Sequence, residues 1–449
     1  MTSESQNEEN IIGAQSIPKL MLKYCVPAVI AMMITGVQGM VDGMIVGTFV
    51  GSNALASVNI AMPYISIIIG VSMIISVGAQ SYIGINLGAN NIEKAQDSFK
   101  TFLVITTIIS ILITIIGTTM SRQIASILGA DQLLISDAAN YIKIMSFFTL
   151  PTSIMFYFGF LSRIVGKPEK YLYGTILSIV VNISLDYLLV VVFDMGIEGA
   201  ALATGIAYSS ALVFVLSPMM DKNNAINVFA GKFKTESIKS VLYNGSSEGV
   251  NSLSGAVTTF LFNVSLMKIA GSGGVAAFTA ISYVGMLGSL LLFGISDGIG
   301  PIVSYNYGMQ DYKRVKKIML ASYIGNMIFG ILLFVLLFFH GEMLVGFFIQ
   351  DNPELIALAV QGGKLYSFSF LLSGFNILAS GYFTFIGKGL ESALVAASRG
   401  IVFTCGGILV LPLFLDINGI WLSVTFAEVC TAIGAVVLLK INAKSALKS

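Results

Sequence analysis

The chain consists of long, continuously apolar stretches separated by short polar segments. We delimit about twelve of them, each near or above the roughly 20 residues that a helix needs to cross a bilayer. They lie near 20–47, 55–84, 101–120, 139–163, 171–193, 199–218, 240–268, 276–304, 318–339, 362–386, 394–414 and 419–440. Because apolar positions are consecutive rather than alternating, the pattern predicts membrane-spanning helices and argues against a transmembrane barrel.

The second half of the chain repeats the first after about 220 residues. GAQSYIGINLG at 78–88 and GIGPIVSYNYG at 298–308 each end an apolar stretch, and a charged segment follows each copy. The register also relates Gly166-Lys167 to Gly387-Lys388. Duplicated membrane halves are common in transporters. Six spans per half predict an all-α integral membrane protein, with 12 transmembrane helices in two six-helix lobes related by a pseudo-twofold axis along the membrane normal.

A polar segment separates the two predicted lobes. The expected organisation is a cytoplasmic N-terminal segment, an N-lobe, a cytoplasmic interlobe linker, a C-lobe and a cytoplasmic tail, at 1–19, 20–220, 221–239, 240–440 and 441–449. Residues 1–19 have no basic region leading into a short apolar core, so no cleaved signal peptide is expected.

Composition and charge agree with a membrane protein. Hydrophobic residues make up 56% and charged residues 10% of the 449, against about 25% charged in soluble domains. About 20 of the 24 Lys and Arg residues lie on predicted inner segments, which favours cytoplasmic termini in a multi-pass protein of the plasma (inner) membrane. The net charge of +1 gives no reason to expect a nucleic-acid partner. The expected partners are the lipid bilayer and small-molecule drugs or metabolites, and the expected functional unit is a monomer.

Polar residues form stripes on three spans of the N-lobe. An ionisable group inside a bilayer is costly and usually faces a partner or a water-filled cavity. The first span carries Thr35, Gln38 and Asp42 on one helix face; the fifth carries Ser178, Asn182 and Asp186; and the sixth carries Thr204. Convergence of these residues would form an all-oxygen site for a proton shared between the acids, or for Na⁺ at Asp42, Asn182, Asp186 and Thr204. We therefore predict cation coupling at these four residues and Gln38, with hydrogen bonding between helices as the alternative.

The second half lacks these acids. The repeat relates Asp42 to Phe262 or Asn263, and Asp186 to Gly406 or Gly407. If the acids served only to hold helices together, the duplicate would be expected to keep one of them. The asymmetry favours a coupling site confined to the N-lobe.

The C-lobe has its own polar residues within spans. Glu248 could contact a cationic substrate or reach the interface, and Glu428 and Asn376 are further candidates for substrate binding. Asp297 precedes Gly298 and Gly300, and we expect it near a helix end. The cysteines Cys25, Cys405 and Cys430 have no spacing typical of a metal site or a disulfide.

The paired segments GAQSYIGINLGANNIEKA and GIGPIVSYNYGMQDYKRV, with the twelve spans, resemble the multidrug and toxic compound extrusion (MATE) family over essentially residues 17–440. Asp42, Asn182, Asp186 and Thr204 are similar to its N-lobe cation-site pattern, and GSSEG at 245–249 resembles the MepA-like bacterial branch. The resemblance implies an antiporter that exports bulky, often cationic or aromatic compounds as H⁺ or Na⁺ moves inward, with no other cofactor. The tenth span holds Asn376 in place of the acid of another branch, which speaks against a C-lobe cation site of that kind.

Two other functions compete with efflux. Some members of the superfamily that the chain resembles flip lipid-linked saccharides, which would require a cavity rich in Arg and Lys to bind pyrophosphate. An intramembrane enzyme would require a catalytic constellation, yet the chain has one His, no HExxH and no convincing Ser-His or Asp-Asp motif. No Walker A sequence is present either. We therefore favour a transporter that is not an enzyme.

Overall fold

The computed structural model describes residues 12–346 and 352–446, and this part of the chain is helical with no strand. The predicted segments 1–19 and 441–449 lie partly outside the described residues. The helices are α1 Ile17–Ile45, α2 Ser52–Gly88, α3 Ile92–Thr119, α4 Ser121–Ile127, α5 Ile135–Phe147, α6 Thr149–Ile164, α7 Glu169–Asp186, α8 Gly196–Met220, α9 Ile238–Gly308, α10 Tyr312–Phe339, α11 Gly341–Gly346, α12 Pro353–Ser367, α13 Phe370–Phe385, α14 Gly389–Ala397, α15 Phe403–Val410 and α16 Pro412–Ala446. Three π-helical turns follow α1, α7 and α14, at Val46–Val50, Tyr187–Val192 and Ser398–Val402.

The described helices supply the spans of a multi-pass membrane protein. Nine are long and apolar enough to cross a bilayer, or eleven when the bent pairs α5–α6 and α12–α13 each count as one span. Helix α9 is 71 residues long, several times the length of one span, and Gly271 interrupts it with φ 62° and ψ −155°. Counting the segments on either side of Gly271 separately gives twelve, in agreement with the sequence.

The contacts divide the chain into two compact units. Unit 1 contains the chain up to Gly245 together with Ser304–Tyr312, and unit 2 contains Ser246–Val303 and the chain from Lys313 onward. Unit 1 has a core around Phe99, Tyr157 and Phe160, and unit 2 has one around Phe262 and Trp421, all fully buried. The lobe boundaries derived from the sequence stay predictions.

The duplication is visible in the backbone. Residues with positive φ recur at matching positions of the two halves, where a chain of L-residues needs a special reason to adopt that conformation. The pairs are Gly51 and Gly271, Asn90 and Gln310, Gly166 and Gly387, and Asp194 and Asp416. Their spacings match the repeat read from the sequence. The two halves therefore turn at corresponding places.

Both halves also contain one sharply bent span. The axes of α5 and α6 meet at 51°, and those of α12 and α13 at 48°. In the first pair Pro151 has no N–H to bond to the carbonyl of Phe147, which accounts for the break. The second pair bends without a proline, through i→i+3 hydrogen bonds such as Leu372 N–H to the Ser369 carbonyl (3.1 Å). The second bend therefore has no proline to signal it in the sequence.

Glycines of the repeated segments bring α2 and the end of α9 into backbone contact within unit 1. A Cβ on Gly88 would collide with the Tyr305 carbonyl, and one on Gly308 would collide with the Ile85 carbonyl. Gly84 faces the Ser304 hydroxyl in the same way. Small residues permit such approach between membrane helices, as expected for this motif.

Part of the predicted linker 221–239 is held against α3 by side chains of that helix. Gln96 accepts the backbone N–H of Asn227 (2.9 Å) and donates to its carbonyl (2.8 Å). Asp97 accepts the N–H of Lys232 (2.8 Å) and forms an ion pair with Lys234 (2.5 Å). The segment is therefore fixed by buried polar groups and by Ala225 and Ile226, which are buried in the core of unit 1.

Candidate functional site

The structure brings the predicted N-lobe residues together inside unit 1. Asp42 on α1 lies near Asn182 and Asp186 on α7 and interacts with both side chains. Thr204 on α8 donates a hydrogen bond from its hydroxyl to Asp42 Oδ2 (3.3 Å). Two carboxylates, an amide and a hydroxyl thus converge from three helices. We name these four residues, Asp42, Asn182, Asp186 and Thr204, the acid cluster.

Two stripe residues lie beside the acid cluster. Gln38 is buried on α1 one turn before Asp42. Thr35, a further turn back, bonds to the carbonyl of Ala31 in its own helix (2.9 Å). The hydroxyl of Thr35 is therefore satisfied locally, which makes the residue a useful control.

The acid cluster is buried yet poorly supplied with donors. Asn182 and Asp186 are 0% and 1% exposed. Five of the cluster's buried polar atoms have no hydrogen-bond partner among the described residues. They are both carboxylate oxygens of Asp186, both polar atoms of the Asn182 amide, and Asp42 Oδ1. Each unsatisfied buried polar atom costs about 1–3 kcal/mol, and more if it is charged. A proton or a hard cation such as Na⁺, which prefers oxygen ligands, would relieve that cost, so the donor set fits either ion.

Two tyrosines complete the surroundings of the acid cluster, and the sequence analysis missed both. The side chain of Tyr141 on α5 interacts with Thr204 and with both carboxylates. Tyr208 on α8 interacts with Asp42. Tyr208 follows Thr204 by four residues on the same helix face, a signal that could have been used. Tyr141 offered none, because only folding brings α5 to this place.

Both acids of the cluster lie within four residues of the start of a π-helical turn. The π-helical turn Tyr187–Val192 begins directly after Asp186, and Val46–Val50 begins four residues after Asp42. The two turns contact each other. Single π-helical turns are frequent at functional sites because they redirect side chains within a helix.

In unit 2, Glu248 and Asp297 lie on opposite sides of the Gly271 break in α9. Both are half-buried, and Glu248 interacts with Asp297 and with Asn251. The expectation that Asp297 lies near a helix end was wrong, because the helix continues to Gly308. The following Gly300 serves packing instead, since a Cβ there would press on the ring of Phe385.

Glu428 and Asn376 belong to a hydrogen-bonded group in unit 2. Glu428 Oε2 accepts from the Asn376 amide (2.6 Å), and Oε1 accepts from the Ser373 hydroxyl (2.7 Å) and from Arg399 Nε (2.6 Å). Arg399, which lies within the predicted span 394–414, pairs in the structure with an acid that is 1% exposed. The substrate-binding role of Glu428 and Asn376 stays a prediction.

Comparison with known proteins agrees with this architecture. The sequence profile of the MatE family matches residues 27–188 and 249–404. The chain is 25% identical over 426 residues to the multidrug export protein MepA of Staphylococcus aureus (strain bovine RF122 / ET3-1), covering 94% of this chain and 93% of that protein. MepA of Staphylococcus saprophyticus is 27% identical over 437 residues, covering 94% of each.

A solved structure shares the fold. It is the outward-facing conformation of a multidrug resistance MATE family transporter of the MOP superfamily, with a TM-score of 0.92, 19% identity and complete coverage of both chains. The matched profile covers well over half of the chain, including the segments that carry Asp42, Asn182 and Asp186. The chain therefore belongs to the MatE family, the multidrug and toxic compound extrusion family that its repeated segments resemble.

Proposed function

We propose that this protein is a secondary active antiporter that exports bulky, often cationic or aromatic compounds in exchange for H⁺ or Na⁺. The acid cluster carries the proposal, because three of its four carboxylate oxygens and both polar atoms of the Asn182 amide are buried without a hydrogen-bond partner among the described residues. The family and the MepA relatives, which are named as multidrug export proteins, support the efflux function.

Coupling follows from the charge of the cluster. Two carboxylates close together inside a membrane repel each other and are poorly solvated, so the pair favours binding a proton or Na⁺. Binding changes the local charge by one unit and biases any conformational change that alters the surroundings of Asp42. Helix α1 provides such an element near Gly36 and Gly39, since a Cβ at Gly39 would meet no atom within 4 Å. Ion binding and a bend of α1 would then drive alternating access of the two lobes.

Substrate selectivity is proposed to involve Glu248. Its half-buried carboxylate lies beside that of Asp297, which gives this part of unit 2 a negative character suited to cations. The protein is proposed to act as a monomer in the plasma (inner) membrane, with both termini and the linker 221–239 in the cytoplasm, because Lys and Arg are concentrated on those segments.

The test uses purified protein in liposomes with an imposed proton or sodium gradient and an ethidium-type cation as substrate. Asp42→Asn combined with Asp186→Asn should lose gradient-driven transport while retaining substrate binding, measured by fluorescence. Thr35→Val is the matched control, because its hydroxyl bonds only within its own helix turn, and it should transport normally. Gradient-driven transport at the wild-type rate by the folded double variant would contradict the proposal. Imposing the two gradients separately identifies the ion.

A further inference from the structure

The carboxylate of Glu428 differs from those of the acid cluster in its hydrogen-bond partners. It is as buried as Asp186, yet it accepts hydrogen bonds from Arg399, Ser373 and Asn376 at 2.6–2.7 Å. Arg399 also lies over the ring of Phe293, with 5.7 Å from its guanidinium carbon to the ring centroid. Acid and guanidinium together carry no net charge.

The position of Arg399 is specified by the backbone around it. It lies in the π-helical turn Ser398–Val402, where its own carbonyl accepts the Thr404 hydroxyl (2.6 Å). The carbonyl of the neighbouring Gly400 accepts the hydroxyl of Thr258 (2.7 Å). These bonds stabilise the turn that orients the side chain of Arg399 toward Glu428. The side chain of Tyr366 also interacts with the pair.

The repeat places Arg399 opposite the acid stripe of the first half. At the spacing of 221 residues that relates Gly166 to Gly387, the counterpart of Arg399 is Ser178. Ser178 begins the stripe that continues with Asn182 and Asp186, and its buried hydroxyl has no hydrogen-bond partner among the described residues. Among the described residues, the acids of the cluster therefore have no fixed cation, whereas Glu428 has a cation at the position that matches Ser178.

We propose that Arg399 is a tethered cation that permanently neutralises Glu428, so that this carboxylate of the C-terminal half holds no exchangeable ion. The inference rests on the proposed function, in which the acid cluster takes up the coupling ion. In unit 2 the guanidinium of Arg399 supplies the positive charge that an exchangeable ion supplies in unit 1. The two homologous halves would then contribute unequally to coupling because one of them carries its counter-ion covalently.

The inference predicts that removing the guanidinium creates a cation site at Glu428. Breaking a buried ion pair on one side leaves an uncompensated charge, which is strongly unfavourable unless another cation replaces the lost one. In Arg399→Gln, Ser373 and Asn376 remain to bind the carboxylate, and Na⁺ or a proton would complete its neutralisation. A ligand that binds only the folded state raises thermal stability as its concentration increases.

The experiment is carried out in the Asp42→Asn/Asp186→Asn background, so that a failure of the acid cluster to couple does not affect it. Thermal stability of the purified protein is measured while Na⁺ replaces N-methylglucamine at constant ionic strength, and again on mild acidification. Adding Arg399→Gln should produce a melting temperature that rises by a few degrees with Na⁺ or with acid. The same background with Arg399→Lys, or with Arg399→Gln/Glu428→Gln, should lack this rise. Equal responses of all these variants would overturn the proposal.

A second arm covers the case in which the single charge removal prevents folding. In the otherwise wild-type chain, Arg399→Gln/Glu428→Gln removes both charges and retains side chains of similar size. The number of coupling ions per substrate, taken from the gradient at which net transport stops in liposomes, should equal that of the wild type, whatever the rate. A smaller number would show that Glu428 exchanges an ion and would refute the tethered cation.

Discussion

At the scale of single residues, the buried carboxylates differ chiefly in their supply of donors. Glu428 has three side-chain donors, one of them charged, and Asp97 has a backbone N–H and a lysine. Asp186, just as buried, has no partner at hydrogen-bond geometry among the described residues and interacts with the carboxyl group of Asp42. Folded proteins satisfy buried polar groups with few exceptions, and the exceptions concentrate where a ligand or proton binds. We therefore expect Asp186 to serve ion binding more than stability.

Asp97 provides a test of the linker attachment. In Asp97→Asn the ion pair with Lys234 is lost, so residues near 232 should detach from α3 more often. Protease cleavage within 221–239 should be about tenfold faster, the factor for one charge-assisted hydrogen bond. Glu93→Gln is the control, because the Lys234–Glu93 contact is longer (3.3 Å) and Glu93 is 85% exposed. Thr101 also binds the linker, because its hydroxyl accepts the N–H of Lys234 (2.9 Å). Unchanged cleavage of Asp97→Asn would show that Gln96 and Thr101 hold the linker without Asp97.

The same contact has a defined pH dependence. The hydrogen bonds to Asp97 and then Glu93 raise the pKa of Lys234 above its ordinary value. A group whose pKa is raised by folding stabilises the folded form below its unfolded-state pKa and loses that effect as pH rises through the folded-state pKa. Protonation of Asp97 in acid also removes its ion pair with Lys234 and weakens the attachment. Linker protection in the wild type should therefore persist at neutral pH and decline in strongly alkaline solution as Lys234 loses its proton. Asp97→Asn should lack that decline.

At the scale of helices, the close contact between α2 and the end of α9 depends on glycine. In Gly308→Ala the new methyl group would overlap the backbone carbonyl of Ile85, and backbone cannot move aside as a flexible side chain can. We expect a loss of about 1–3 kcal/mol, typical of overpacking, measured by thermal or denaturant unfolding in detergent. Gly255→Ala, on the same helix with no atom within 4 Å of the added Cβ, should be neutral or slightly stabilising. Equal stability of the two variants would mean that the helices separate without cost.

At the scale of the whole chain, the topology is open to a direct test. The native Cys25, Cys405 and Cys430 are first changed to serine. A single cysteine then replaces Lys232, in the linker, or Glu342, between the predicted ninth and tenth spans, which is the outer side when both termini are cytoplasmic. Both target positions are exposed. An impermeant thiol reagent added to intact cells should label the cysteine at 342 and leave that at 232 unlabelled, as expected for a cytoplasmic linker. Labelling at 232 from outside would reverse the proposed orientation.

The sequence by itself determined the class of fold, the duplication and the identity of the acid cluster. Long apolar runs of this length form membrane-spanning helices. Asp42, Asn182 and Asp186 are recognisable because charged and amide groups are rare in such runs. Regular helix spacing further predicted which of these residues share a helix face. These features follow from composition and local periodicity, which require no knowledge of neighbouring helices.

Tertiary structure decided which polar groups have partners. The sequence presented Glu428 and Asp186 as similar buried acids, yet packing supplies donors to one and not to the other. The sequence likewise gave no sign that Tyr141 would lie near the acid cluster, or that α12 and α13 would meet at an angle without a proline. Partners far apart in the chain meet only through helix packing, so the pairing of Arg399 with Glu428 could be seen only in the folded protein.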